Sequence, residues 1–177
     1  MIIGSKVILR EKRLDDAWDD YTWETDPELA RLDATPLATM AFAQYFSSYA
    51  NTLQTSFSTS YRFAIDTLGG EHIGNCSYYN VNEARGEAEL GIMIGDRSYW
   101  DKGYGADTVT TLVNYIFHQT NLKRIYLKTL DSNRRAQKCF KNCDFIPCGH
   151  LVRDGFSFTL MEINRKRWQE QQTEGVG

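Results

Sequence analysis

The spacing of apolar positions changes character along the chain. Leu14, Ala17, Trp18 and Tyr21 recur at helical intervals. They predict a helix running to about residue 23, with Asp15 as its cap. The Asp26-Pro27 step interrupts it, and proline suits the first turn of a new short helix. A third helix is predicted over 39–53, followed by a serine- and threonine-rich loop over 55–60. The period then drops to two. Tyr61-Arg62-Phe63-Ala64-Ile65 alternates as a strand does. Gly69-Gly70 forms a hairpin turn into a strand over 72–80, with Gly74 as a bulge. After a turn at 82–86 comes an apolar strand over 88–94, a composition that fits burial on both faces. Helical spacing returns over 106–118, where Val109, Leu112, Val113, Ile116 and Phe117 make one stripe. A strand over 124–130, a helix over 133–142 and a hairpin of strands 145–152 and 156–163 close the pattern. Val7-Ile8-Leu9-Arg10 is a short strand ahead of it all. The polar tail after Trp168 is expected to fray.

This order implies one mixed sheet with helices on it, an α/β (mixed α+β) class. Six to seven strands are expected, mostly antiparallel, with one parallel strand-helix-strand step from Ala88 to Leu130 that should cross right-handed. The 177 residues suit a single domain, with its core over about 7–164.

Composition narrows the partners. Hydrophobic residues are 42%, charged residues 24%, and the formal net charge is −3, so overall charge gives nucleic acid no reason to bind. The start is too short and too soon charged for a signal peptide, and no apolar run nears the roughly 18 residues that cross a bilayer. The expectation is a cytoplasmic protein away from membranes. Cys139, Cys143 and Cys148 cluster near His150, with Cys76 apart. A structural zinc site pairs such ligands twice over, and only one pair exists here. The cysteines therefore read as small core residues, with no metal.

The segment that bears on chemistry is Trp100-Asp101-Lys102-Gly103-Tyr104-Gly105, between a strand and a helix start. Its glycines allow close approach to the backbone, and the first helical N–H groups face outward with the positive end of the dipole. Together they make an anion site suited to a pyrophosphate, with Lys102 as an added charge. A strand-to-helix loop that merely needs glycine is the plainer reading. A P-loop is excluded because Ala106-Asp107 follows Gly105, and a dinucleotide fingerprint because Thr108 stands at its third glycine.

Ala88-Glu89-Leu90-Gly91-Ile92-Met93-Ile94 followed by Tyr99-Trp100-Asp101-Lys102-Gly103-Tyr104-Gly105 resembles motif A of the GNAT N-acetyltransferases. Asn133-Arg134-Arg135-Ala136, then Phe140 and Phe145, is similar to motif B of the same family. The branch it looks most like is the RimJ/RimL-like group. The resemblance runs from about Val7 to Asn164. It departs at Phe140, where many members carry tyrosine, and at Asp144, where glycine is usual.

The resemblance implies the GNAT fold and a ternary complex in which an amine attacks the thioester of acetyl-CoA. It implies that Trp100, Lys102, Gly103, Tyr104, Gly105 and Ala106 hold the pyrophosphate. Ile92, Met93 and Ile94 would pair with the pantetheine arm and aim an N–H at the thioester oxygen. Asn133, Ala136 and Phe140 would line the same arm. Glu89 stands where several members carry a general base or a water-holding glutamate, and Glu87 shares its strand face as second choice. Both can equally be solvated strand residues. Phe140 cannot protonate the leaving thiolate, and Ser132, Tyr104 and Cys139 are the nearby alternatives. Trp18, Tyr21, Trp23, Asp26 and Glu28 offer aromatic and acidic groups for a cationic acceptor, or simply core packing and a solvated face. Candidate acceptors are a protein N-terminus, including those of ribosomal proteins, a polyamine, an amino sugar or an aminoglycoside, met by a monomer or homodimer. The competing readings are an acyl-CoA-sensing module of the same fold and a nucleotide-binding domain.

Overall fold

Alternation and helical spacing resolve into one sheet flanked by helices. The computed structural model describes residues 1–55 and 59–174. In chain order the elements are β1 (Ile2–Ile3), β2 (Val7–Arg10), α1 (Ala17–Glu24), α2 (Pro27–Leu32), α3 (Phe42–Gln54), β3 (Tyr61–Thr67), β4 (His72–Asn82) and β5 (Glu87–Ile94). There follow α4 (Tyr104–Gln119), β6 (Arg124–Leu130), α5 (Arg134–Asn142), β7 (Ile146–Arg153), β8 (Phe156–Asn164) and α6 (Arg165–Glu174). The sheet order is β1-β2-β3-β4-β5-β6-β8-β7. Its one parallel pair is β5 with β6, joined through α4. The eighth strand beyond the expected seven is the two-residue β1, too short to show a period.

The stripe on α4 makes the core. Val109, Leu112, Val113, Ile116 and Phe117 pack into a cluster with Val7, Leu9, Ile65, Leu90 and Ile125 from the sheet. At the start of α4 the Asp107 carboxylate accepts N–H bonds from Ser5, Lys6 and Val7, at 3.1, 2.7 and 3.1 Å. That clasp brings Lys6 to the helix start.

The other face of the sheet carries α1 and α3 above a buried polar network. Arg10 pairs with Asp16 at 2.7 Å and with Asp66 at 2.6 Å. Lys12 pairs with Asp20, which also accepts 2.6 Å from Asn75 and faces His72 at 3.4 Å. Burial opposes charge on Asp20, but the His72 hydrogen bond and the Lys12 ammonium overcome it and hold the carboxyl near 2.

Several expectations change. Asp15 does not cap α1. Residues Leu14–Asp16 form a 3-10 turn, and the neighbouring Asp16 takes the capping role, accepting from the Arg13 N–H at 2.7 Å because Arg10 holds it there. The third helix begins at Phe42 rather than 39, after Ala41 in extended backbone. Helix α4 begins at Tyr104, two residues early, since Gly103 at φ 86 is itself the N-cap. The Gly74 bulge belongs to its neighbour. The register shift opposite Ile65 and Asp66 leaves Ile73 as the extra residue. Gly74 is required for close approach, as a Cβ there would sit 2.2 Å from the Met93 carbonyl oxygen. The tail after Trp168 does not fray through Glu174. Trp168 is buried on Phe117 and donates to Asn114 at 2.7 Å, while Arg165 donates to the carbonyls of Phe117, Thr120 and Leu122. The bonds to Phe117 and to Thr120, the C-cap, tie α6 to the C-terminal end of α4. Cys76 and Cys143 are buried, but Cys148 is exposed on the edge strand β7 and is no core residue. The loop expected over 55–60 falls at 56–58 outside the described residues, as do the last three positions of the tail.

Candidate active site

Strands β5 and β6 begin together and then part. Three rungs join them, Glu87 to Arg124, Ala88 to Ile125 and Glu89 to Tyr126, although both strands run on. Beyond Glu89, β5 stays paired to β4 as far as Ile94 with Gly74. Among the described residues its other edge therefore carries backbone groups with no strand partner, a template for an extended chain. The expectation that the strand is buried on both faces holds for Ala88, Glu89 and Leu90 and fails beyond them. Gly91, Ile92, Met93 and Ile94 are only half-buried. A cavity of about 110 Å³ occupies the gap, bordered by Leu90, Gly91, Ile92, Asn133, Ala136 and Phe140 on the donor side. A larger open depression of about 590 Å³ lies behind α4 against Ile2, Ile3, Gly4 and Ser5, remote from the split.

The open end of the split meets the phosphate turn. Trp100 donates its indole N–H to the Ile94 carbonyl at 2.7 Å, fastening the turn to the strand. Arg135 of α5 lies with its guanidinium 3.4 Å above the Trp100 ring. Asp101 at φ 57 and Gly103 at φ 86 bend the chain into α4. The N–H groups of Gly103, Tyr104, Gly105 and Ala106 have no carbonyl in their own helix to reach. Lys6 stands over the Tyr104 ring at 5.5 Å, with its side chain 3.5 Å from where a Gly103 Cβ would lie. Lys102 is exposed on the turn. Four outward amides, the helix dipole and the cations Lys6, Lys102 and Arg135 suit a multiply charged phosphate. Lys6 comes from the far end of the chain and carries no motif, so the sequence alone does not find it. Arg135 sits inside the motif B match, where its spacing on α5 toward Trp100 is the signal.

Asn133 caps α5. Its side-chain oxygen accepts from the Ala136 N–H at 3.1 Å, which leaves its NH₂ as the group able to donate into the split. Phe140 is buried against Phe145 beside the cavity.

The acetyltransferase (GNAT) domain family matches residues 6–146. The chain belongs to the GNAT acetyltransferases. It is 29% identical over 150 residues to an uncharacterized N-acetyltransferase, p20, of Bacillus licheniformis, covering 84% of this chain and 83% of that one. It is 28% identical over 95 residues, 54% of each chain, to a spermidine N(1)-acetyltransferase of Vibrio cholerae. The fold superposes with a TM-score of 0.82 on the Vibrio cholerae spermidine N-acetyltransferase solved with CoA and spermine, at 20% identity, covering 94% of this chain and 99% of that one. This GNAT protein is an N-acetyltransferase with acetyl-CoA as cosubstrate, and the split with its amide-lined end is the part of the structure that fits a CoA.

The opposite side of the GNAT split is built from side chains. Tyr79, Glu89 and Gly91 share one face of β4 and β5, and Lys128 joins them from β6. Glu89 is buried at 4% exposure. One of its oxygens pairs with the Lys128 ammonium at 2.6 Å and the other accepts from Asn80 at 3.0 Å. Glu87 lies at the closed end of the strands, paired with Arg124 at 2.9 Å and Arg85 at 3.2 Å. The structure thus does not bring Glu87 to the cavity. Asp26 and Glu28 are also engaged elsewhere. Asp26 caps α2, both pair with Arg97, and that guanidinium keeps the Asp26 carboxyl below the usual range. Trp23 covers Gly95 and His72, while Trp18 and Tyr21 pack on Phe42.

The acidic group that borders the cleft is Asp33, with Glu24 close enough to act on its charge. Asp33, at the end of α2, borders the cavity together with Tyr79 and Lys128. Glu24 accepts from the Tyr45 hydroxyl at 2.9 Å, and burial pushes its carboxyl up. Neither stands in a motif, and each reaches the site only because α1 and α2 fold over the sheet. Of the alternatives to a motif B tyrosine, Ser132 is exposed and Tyr104 packs on Tyr99. Cys139 lies by Gly105 and Cys143.

Proposed function

We propose that this GNAT enzyme acetylates a primary amine on a small cationic acceptor, with a polyamine as the first choice. The single observation behind it is the position of the split, open to unpartnered amides at one end and to the Asp33 carboxylate, with Glu24 nearby, on the acceptor side. The partial sequence match to a spermidine acetyltransferase supports that choice over an amino sugar, an aminoglycoside or a protein N-terminus. The resemblance of motif A to the RimJ/RimL-like branch supports the N-terminus as second. The chain acts in this reading as one cytoplasmic domain.

The backbone of Ile92, Met93 and Ile94 would run beside the pantetheine arm, and one of their N–H groups would meet the thioester oxygen as negative charge grows there. Gly103, Tyr104, Gly105 and Ala106 would hold the pyrophosphate through their amides, helped by Lys102 and by the stacked Trp100 and Arg135. Asn133 would donate to the arm, with Ala136 and Phe140 packed along it. Both groups would be held in one site, so the attack becomes effectively intramolecular.

The test is thiol release from acetyl-CoA with spermidine, kanamycin and a free-N-terminal peptide as acceptors. Spermidine should give the highest kcat/KM. Release only with the peptide would replace the polyamine reading. Phe140 favours a second reading, because its ring gives the leaving thiolate no proton. An acyl-CoA sensor would bind CoA and release no thiol with any amine.

A further inference from the structure

We propose that Asp33 takes the proton from the acceptor amine and that Glu89, the carboxylate suggested by its motif, serves instead to hold Lys128. This rests on the acetyltransferase reading and names the base within it.

A general base needs a free lone pair within reach of the reacting nitrogen. Both oxygens of Glu89 already accept, from the Lys128 ammonium and from Asn80, and its side chain is buried. Asp33 differs on each count. No hydrogen bond or ion pair reaches its carboxylate among the described residues, and it borders the cavity at the split together with Gly91 and Ile92. That cavity has a volume of about 110 Å³. An acceptor amine bound in that cavity would be bordered by Gly91 and Ile92 of β5 and by Asp33.

Water reaches Asp33, yet protein surrounds it in the cleft. That burial, with the Glu24 carboxylate nearby and Lys128 opposing, pushes its carboxyl up to about 6. A carboxylate raised toward neutrality is a better base than an ordinary one.

The acceptor arrives as an ammonium and gives one proton to the Asp33 carboxylate. The freed nitrogen lone pair bonds to the thioester carbon, and the carbonyl electrons move to oxygen. When they return, the carbon–sulfur bond breaks and CoA leaves with that electron pair. The second N–H proton ends on the CoA sulfur, and Asp33 passes its own to water. The products are an amide, CoA and one proton.

Four proteins are compared: wild type, Asp33→Asn, Asp33→Glu and Glu89→Gln. Each is assayed for thiol release with spermidine across pH 5 to 9 and for CoA affinity by calorimetry. Asp33→Asn should lose about a hundredfold in kcat, within the usual range for a general base, with CoA affinity unchanged and melting no lower than wild type. The wild-type kcat/KM should fall below an apparent pKa near 6, and that limb should vanish in Asp33→Asn. Asp33→Glu should recover part of the rate, and Glu89→Gln should keep the limb. Asp33→Asn with the wild-type rate and limb would overturn the assignment, as would loss of the limb in Glu89→Gln. A wild type that binds CoA but releases no thiol with any amine would overturn the acetyltransferase reading itself.

Discussion

The donor and acceptor sides of the split are built from different materials. On the proposed donor side the groups on offer are backbone amides: the free edge of β5 and the first turn of α4, set by a contiguous run of chain. On the proposed acceptor side they are side chains from distant positions, Asp33 with Glu24 near it, and Tyr79 and Lys128, the latter paired to Glu89. Backbone groups at a turn are fixed by local conformation. Converging side chains are fixed by packing and by charge, so the acceptor side leans on the polar network beneath α1.

The largest effect is expected from that network. Lys12→Met strips the Asp20 carboxylate of its ammonium partner while leaving it buried. Breaking a buried pair from one side costs about 3 kcal/mol, to be read by urea unfolding. The same network sets the acid limit. Asp20 is held near 2, below the ~3.9 of an unfolded chain, so its contribution is complete above about pH 4 and is lost as pH falls toward 2. Acid titration of wild type and Asp20→Asn by circular dichroism checks this, and the variant should lose that slope.

On the donor side, Gly105→Val should weaken CoA binding more than tenfold without unfolding the protein. A Cβ there already meets Cys139 at 3.5 Å and Ile94 at 3.9 Å, so the added methyls fill the approach to the turn. Unchanged calorimetric affinity would remove the turn from the site. Arg135→Ala should cost less, about fivefold in CoA affinity at low salt and less at high salt, because the turn amides and Lys6 remain. The smallest effect is on stability. Asp33 has its carboxyl raised above the unfolded value, so the folded state binds the extra proton and stability declines as pH rises from about 4 to about 6. Asp33→Asn should remove that decline and gain under about 1 kcal/mol at pH 7 after solvent screening, seen as a slightly higher Tm.

The same contrast governs what the sequence reveals. The β5–turn–α4 run and the Asn133 cap are local, so periodicity and glycine placement lead to them directly. Lys6 escapes because a clasp across the fold, Asp107 on the 5–7 amides, brings it to the turn. Asp33 escapes because only the packing of α2 over the sheet gives it a cavity. Asp26 and Glu28 mislead for the same reason, as nothing local says that Arg97 engages them. Glu89 lies in a motif, but its pairing with Lys128 comes from the next strand. The fold is more legible than the site because amphipathic spacing is repeated over many residues, whereas each acceptor contact is made once.

Thiol release from acetyl-CoA with spermidine tests the central claim most directly. Release that saturates in both substrates, with one acetylated amine formed per thiol, is the outcome predicted for a split that holds CoA at one end and a cationic amine at the other. CoA binding without thiol release from spermidine, kanamycin or the peptide would contradict it.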